Sequence, residues 1–141
     1  MDKVKDRVAV ITGGTRGIGR GIAEAFLAEG GKVVVSGRSA DKGQRALDEM
    51  KAGDRAHFIA CDVRDRASVQ ALVDGSAEHF GSVDILVNNA GGSDGFALVH
   101  EMTDEAWDNA MDWILNSLGF QQPAKSRSGD IDNAKRPRLR R

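Results

Sequence analysis

Short apolar runs alternate with amphipathic stretches along the first 120 residues of the chain. Four of these runs are typical of strands buried on both faces, because they are apolar throughout most of their length. The predicted strands are residues 8–11, 32–36, 57–60 and 84–87. In the segments that follow each strand, apolar positions recur at three- and four-residue spacing, which indicates helices. Strands that alternate with helices predict an α/β fold with a parallel sheet.

Each predicted helix has an apolar face, and two have a clear start. Asp65 and Thr103 are placed to cap the third and fourth helices. The predicted inner faces are Ile18, Ile22, Ala25 and Phe26 in the first helix, Ala46, Leu47 and Met50 in the second, Val69, Leu72, Val73 and Phe80 in the third, and Trp107, Ala110, Met111, Ile114, Leu115 and Leu118 in the fourth.

The apolar pattern stops after Phe120. Residues 122–141 hold seven Lys and Arg side chains against two Asp, a net charge of +5, whereas the whole chain carries −1. We therefore predict two parts: residues 1–120 as a folded half-domain, and residues 121–141 as a basic tail that is disordered or translated out of frame. A tail that binds nucleic acid or an acidic partner, or that serves assembly, is the alternative.

Composition indicates a cytoplasmic protein. Cys61 is the only cysteine, so no intramolecular disulfide can form and a reducing compartment is expected. The charged N-terminus does not resemble a secretory signal, and no stretch approaches the roughly 20 apolar residues of a membrane helix. The near-neutral net charge gives no reason to expect a nucleic-acid partner. The three histidines, at positions 57, 79 and 100, are too scattered to predict a metal site.

A glycine-rich turn, TGGTRGIG at residues 12–19, follows the first predicted strand. Glycine permits positive φ and lets a ligand approach the backbone closely. A strand, a glycine turn and a helix together direct backbone N–H groups and a helix N-terminus at a phosphate. The glycine spacing differs from the dinucleotide fingerprint G-x-G-x-x-G, so a packing turn is an alternative for this segment taken alone.

Two further segments occur at the ends of later predicted strands: Asp62-Val63 after the third, and Asn88-Asn89-Ala90-Gly91 after the fourth. In this order the three motifs resemble those of the short-chain dehydrogenase/reductase family, in its classical subclass, over about residues 7–120. The resemblance implies a Rossmann-type, doubly wound parallel sheet, truncated to the strand order 3-2-1-4. It also implies a nicotinamide dinucleotide bound at the carboxyl ends of the strands.

Carried onto this chain, the family's cofactor-binding residues are Gly13, Thr15, Arg16, Gly17, Ile18, Gly19, Arg38, Asp62, Val63, Asn89, Ala90 and Gly91. The glycine turn would surround the pyrophosphate and the adjoining ribose. Asp62 would accept a hydrogen bond from the adenine amino group, with Val63 beside it. Residues 89–91 would line the cofactor beyond its adenosine half, and Asn88 would brace the fourth strand.

The end of the second strand favours NADP over NAD. An acidic residue there would bond the ribose 2′-OH of NAD and repel a 2′-phosphate. Gly37 takes that place, Arg38 follows it, and Arg16 lies in the glycine turn. Guanidinium groups suit phosphate oxygens, although Arg38 could instead be a solvated loop residue.

The family's catalytic residues are an asparagine, a serine and a Tyr-x-x-x-Lys pair on later elements, and none is assigned in this chain. The sequence contains no tyrosine, and Ile114 stands where the asparagine would follow Trp107 by seven residues. The resemblance implies an NADP-dependent oxidoreductase that transfers hydride between an alcohol and a carbonyl. We expect this truncated form to be inactive alone. A non-catalytic nucleotide-binding or interaction module, and the non-functional product of a disrupted gene, are the alternatives.

A sheet of only four strands would leave the fourth strand at an edge. Its apolar residues 85–87 would then be incompletely covered, and their backbone groups unpaired. We expect such an edge to promote self-association.

Overall fold

A computed structural model describes residues 3–92 and 99–116, which form a parallel sheet with helices on both faces. The strands are β1 (Val8–Thr12), β2 (Lys32–Gly37), β3 (Ala56–Ala60) and β4 (Ile85–Val87). The helices are α1 (Gly17–Ala28), α2 (Ala40–Met50), α3 (Arg66–Phe80) and α4 (Asp104–Met111). Short 3₁₀ turns cover Gly53–Arg55 and Val99–Glu101, and a π-helical turn, Asp112–Asn116, directly continues α4.

The sheet has the order β3-β2-β1-β4 with every described pair parallel, which confirms the predicted topology. β1 lies between two partners, with Val10 opposite Val34 on β2 and Leu86 on β4. The strand limits differ from the predicted ones by a residue or so. β1 and β2 run on to Thr12 and Gly37, and β4 begins after Asp84.

The central strands are buried because helices cover both faces of the sheet. One face packs against α1 and α2, and the other against α3. The buried residues of the first face are Ala9, Ile11, Ala23, Leu27, Val33 and Val35, and those of the second are Val10, Val34, Cys61, Val63, Val69 and Leu72. Successive side chains of a strand point to opposite faces of the sheet, so the same apolar strands contribute to both layers of the core.

The predicted inner face of α1 was partly wrong. Ile18 is 79% exposed and Ala25 is also exposed, whereas Gly19, Ala23 and Leu27 are buried. Because Gly19 has no side chain, the helix can approach the sheet closely. Gly19, Ala23 and Leu27 are four residues apart and therefore share the buried face of the helix. Side-chain hydrophobicity alone could not place Gly19 on that strip.

The predicted apolar stripe of α4 is also corrected. Trp107 and Ile114 are 52% and 50% exposed within the described residues, while Trp113 is half-buried. The stripe was inferred from spacing on a regular α-helix. The helix continues as a π-turn from residue 112, which has more residues per turn and changes the register of Trp113 and Ile114 relative to α4. The exposure of Trp107, which precedes this turn, has no such explanation.

The predicted caps are confirmed. The Asp65 carboxylate accepts hydrogen bonds from the N–H groups of Ala67 and Ser68, and Thr103 Oγ1 accepts one from Ala106. Over the described ranges, no helix is both long and apolar enough to cross a membrane. Leu118 and the predicted tail, residues 121–141, lie outside the described residues.

Two histidines that are distant in the sequence stack on each other. The rings of His57, on β3, and His79, near the end of α3, have centroids 3.9 Å apart and are nearly parallel. Burial lowers the pKa of His57 below its usual range, and the charge of His79 lowers it further. The unfolded chain therefore binds a proton at this site more readily than the folded chain.

We predict that the free energy of unfolding falls as the pH drops below about 6.5, the pKa of an unperturbed histidine. The stability that depends on neutral His57 is fully present above that pH, and it is lost as the pH falls toward the lowered pKa of the folded state. His57→Gln should flatten this dependence in urea denaturation at about pH 5.5 and pH 8. His100→Gln, at an exposed histidine, is the matched control. An equal pH dependence in wild type and His57→Gln would contradict the prediction.

Candidate functional site

The carboxyl ends of the strands open into a cleft of about 620 Å³. All twelve residues predicted to hold a cofactor line this cleft, although they come from four separate segments of the chain. The lining also includes residues outside that set: Ser36, Gly37, Ser39, Lys42, Cys61 and Trp113. The topology gathers them because parallel strands end at the same edge of a sheet.

A buried threonine joins the glycine turn to the segment after β4. Thr12 Oγ1 accepts hydrogen bonds from the backbone N–H groups of Asn89 (3.1 Å) and Ala90 (3.0 Å). The Asn89 side-chain amide donates to the carbonyl oxygens of Thr12 (3.0 Å) and Gly13 (3.2 Å). Asn89, rather than the exposed Asn88, therefore braces this edge of the sheet.

The glycine turn requires glycine at particular positions. Gly13 and Gly17 have φ angles of +65° and +56°, which residues other than glycine rarely adopt. A Cβ atom at Gly19 would overlap the Asn89 amide and the carbonyl of Gly13. The start of α1 is consequently held directly against the joint between β1 and β4.

The N-terminus of α1 is available to an anion. Arg16, at the N-cap position, forms no side-chain hydrogen bond to the helix, and the first turn of α1 contains no acidic residue. The first N–H groups of a helix lack intrahelical partners and carry a partial positive charge. Arg16, Gly17 and Gly19 all line the cleft, so the start of α1 forms one part of its wall, which we call the base of the cleft.

The end of β2 adds cationic and hydroxyl groups. Gly37, Arg38 and Lys42 line the cleft together. The lining residues from the end of β2 to the start of α2 include no carboxylate. Ser39 caps α2 by accepting a hydrogen bond from the Lys42 N–H. Ser36 Oγ is buried and has no hydrogen-bond partner within the described part of the chain. Lys42 was missed because the pattern of α2 shows only an exposed charged face.

Asp62 is bound by a neighbouring arginine. Its Oδ1 accepts hydrogen bonds from Arg64 N (3.0 Å) and Nε (3.0 Å), and its Oδ2 accepts one from Arg64 Nη2 (2.7 Å). The Arg64 guanidinium holds the pKa of this carboxyl below its usual range, and the charge of Arg38 acts in the same direction. Asp62 thus remains ionised at neutral pH and acts as a hydrogen-bond acceptor.

Trp113 is a lining residue that the sequence did not single out. The guanidinium carbons of Arg38 and Arg64 lie over its ring, 4.5 Å and 4.9 Å from the centroid. These are cation–π distances. Regular helical spacing from Trp107 placed Trp113 away from the expected inner face, and no local signal marks it as a contact of the segments that follow β2 and β3.

The remaining candidates do not add an acid or a nucleophile. Cys61 is buried, and burial raises the pKa of its thiol, so it is a small buried side chain rather than a reactive thiolate. Ile114 lies near Gly91 and is half exposed, and it has no group that could donate a proton. Within the described residues, no cluster of three or more metal-ligating side chains occurs.

Comparison with known proteins identifies the same family. The family model described as short chain dehydrogenase matches residues 7–122. An NADP-dependent (R)-specific alcohol dehydrogenase from Lentilactobacillus kefiri is 40% identical over 119 residues, covering 84% of this chain and 47% of that protein. A 3beta-hydroxysteroid dehydrogenase from Mediterraneibacter gnavus is 36% identical, covering 85% and 44%.

Solved structures agree with the sequence comparison. The crystal structure of a short chain dehydrogenase from Mycobacterium smegmatis superposes with a TM-score of 0.81 at 32% identity, covering 86% of this chain and 51% of that one. The chain spans about half the length of the relatives it matches. With the three motifs brought together around one cleft of the expected fold, the chain belongs to the short-chain dehydrogenase family of oxidoreductases.

Proposed function

We propose that this chain is the NADP-binding part of an oxidoreductase that acts on alcohols or carbonyl compounds. The observation that carries the proposal is the cationic lining at the end of β2, where Arg38 and Lys42 accompany Gly37 instead of a carboxylate. Guanidinium and ammonium groups favour a 2′-phosphate, which the NAD ribose lacks. One relative that shares 40% of the matched residues is named as NADP-dependent.

The base of the cleft fits a pyrophosphate. Backbone N–H groups at the start of α1 can donate to its oxygens, and Arg16 adds a positive charge beside them. Glycines 13, 17 and 19 leave the backbone uncovered by side chains.

The other end of the cleft fits the adenosine half. Asp62 can accept from an exocyclic amino group, since its Oδ2 accepts only one hydrogen bond from Arg64 and keeps acceptor capacity. When bound, the nicotinamide supplies the hydride. The residues of this chain bind and orient the dinucleotide, and residues 89–91 line the cleft beside the glycine turn.

Replacing Arg38 tests the preference for NADP. We predict that Arg38→Ala weakens NADPH binding by roughly tenfold to a hundredfold, the contribution of a hydrogen bond between charged groups. NADH binding should change little, because NADH has no 2′-phosphate. Isothermal titration calorimetry with both cofactors measures the two affinities.

The matched control for Arg38→Ala is Arg45→Ala, which removes an exposed arginine of α2 outside the cleft lining. It should leave both affinities unchanged. Equal losses for NADPH and NADH in Arg38→Ala would show that Arg38 does not select the 2′-phosphate, and tighter NADH than NADPH binding in wild type would exclude NADP as the preferred cofactor.

We predict saturable NADPH binding without turnover by the 141-residue chain. Reduction of a carbonyl needs a proton donor at the oxygen as hydride reaches the carbon, and the family's Tyr-x-x-x-Lys pair is absent from this sequence. The measurement is NADPH consumption with purified protein and a panel of ketones. Turnover above the protein-free rate would overturn this expectation.

The two alternative functions give different results in the same preparation. A non-catalytic nucleotide-binding module would bind NADPH and show no turnover with any ketone. The product of a disrupted gene would show no saturable binding. The nucleotide sequence after codon 120 adds a separate test, because a serine and a Tyr-x-x-x-Lys pattern in another frame would identify the tail as a frameshift product.

We also propose that β4 promotes self-association. In the described part of the chain β4 pairs only with β1, and its three residues are only partly buried. An unpaired strand edge is a template for another strand. Sedimentation velocity should show a weight-average mass that rises with concentration, whereas a monomer at all concentrations would contradict the proposal.

A further inference from the structure

The first turn of α2 packs directly against a phenylalanine ring on β3. Gly43 is buried in this turn, and a Cβ atom added to it would overlap Cγ, Cδ1 and Cδ2 of Phe58. These atoms form the end of the ring that is attached to the strand, so a movement of the ring tip alone would not remove the overlap. Glycine inside a helix is unfavourable relative to alanine, but here it allows the helix and the strand to approach this closely.

The same ring reaches the end of β2. A Cβ atom at Gly37 would lie 3.9 Å from Phe58 Cε2, which is an ordinary contact distance. Gly37 is also tied to the end of β3, because its carbonyl accepts a hydrogen bond from the N–H of Cys61 at 3.0 Å. The ring of Phe58 therefore lies beneath the connection from β2 to α2 and contacts it at both ends.

The connection between the two glycines carries both cations at this end of the cleft. Arg38 and Lys42 line the cleft, and Ser39 holds the segment in a single turn. The Ser39 hydroxyl accepts from the N–H of Lys42 at 3.4 Å, and its carbonyl accepts from the N–H of Gly43 at 3.0 Å. A displacement of Gly43 is consequently transmitted through this turn to the backbone that carries the two cations.

We propose that the contact of Gly43 with the Phe58 ring sets the position of Arg38 and Lys42, and so determines how strongly the cleft prefers NADP to NAD. Gly43 and Phe58 are positioning residues, because they lie outside the cleft lining and act through the two cations. This inference rests on the proposed function, since it assigns a support to the charges proposed to bind the 2′-phosphate. Bonds from a guanidinium to a phosphate depend on geometry as well as charge, so a shift of the turn affects NADPH more than NADH.

The experiment measures the ratio of NADPH affinity to NADH affinity by isothermal titration calorimetry on the full 141-residue chain. In Gly43→Ala the new methyl group separates α2 from β3. We expect the ratio to fall by roughly threefold to tenfold, within the range of coupling between residues in contact. A merely structural role for Gly43 would weaken the binding of both cofactors by the same factor and leave the ratio unchanged.

The double variant Gly43→Ala/Phe58→Val removes the overlap from the other side. Valine lacks the ring that the new methyl group would meet, and it is favourable in a strand. The ratio should return close to its wild-type value. Phe58→Val alone leaves the start of α2 without its support and should lower the ratio, so its comparison with the double variant remains decisive if Gly43→Ala does not fold, as judged by circular dichroism.

Gly21→Ala is the matched control. Gly21 also lies within a helix, α1, but a Cβ atom there would meet nothing within 4 Å, and the residue is outside the cleft lining. Both affinities, and therefore their ratio, should equal those of the wild type.

The outcomes separate this inference from the proposed function. If the wild type prefers NADPH and both single variants keep its ratio, the positioning role is excluded and the NADP site stands. The same conclusion follows if the double variant is no closer to the wild-type ratio than the single variants are. If the wild-type chain binds neither cofactor, or prefers NADH, the proposed function is overturned and this inference with it.

Discussion

The hydrogen bonds of Thr12 are the constraint on which the rest of the site depends. The threonine is fully buried, and its single hydroxyl accepts from two backbone N–H groups that are more than 75 residues away in the chain. Buried polar groups need partners, so the glycine turn and the segment after β4 cannot move apart without leaving several of them unpaired. Sheet topology brings the two segments to the same edge, and Thr12 fixes their separation.

That joint determines how α1 begins. The Asn89 amide donates to the carbonyls of Thr12 and Gly13 and occupies the space where a side chain at position 19 would lie. The helix start is therefore packed against the Asn89 amide and the Gly13 carbonyl, and Gly17, Ile18 and Gly19 line the cleft. The lining of the cleft combines the glycine turn, whose backbone is held by these hydrogen bonds, with longer side chains such as Arg38 and Trp113.

The sequence predicted those features that depend on local patterns. Buried parallel strands are apolar along their length, and Asp65 and Thr103 cap helices through bonds to residues two or three positions away, so both could be recognised. Contacts between distant segments have no such pattern. The stacking of His57 on His79 and the position of Trp113 depend on how β3, α3 and the π-turn pack. Ile18 was misplaced for a related reason, because a glycine rather than a large side chain marks the buried side of α1.

The described cleft is better equipped for binding than for proton transfer. Its ionisable lining residues are Arg16, Arg38, Lys42, Cys61 and Asp62. Arg64 keeps the carboxyl of Asp62 ionised, and burial keeps Cys61 a neutral thiol with a raised pKa. A general acid works best when its pKa is near the operating pH, and the pKa shifts of Asp62 and Cys61 both lead away from neutrality. The positive charges of this lining come from Arg16 at the start of α1, Arg38 directly after β2 and Lys42 in α2. The described lining thus offers positive charge and hydrogen-bond donors that suit an anionic ligand.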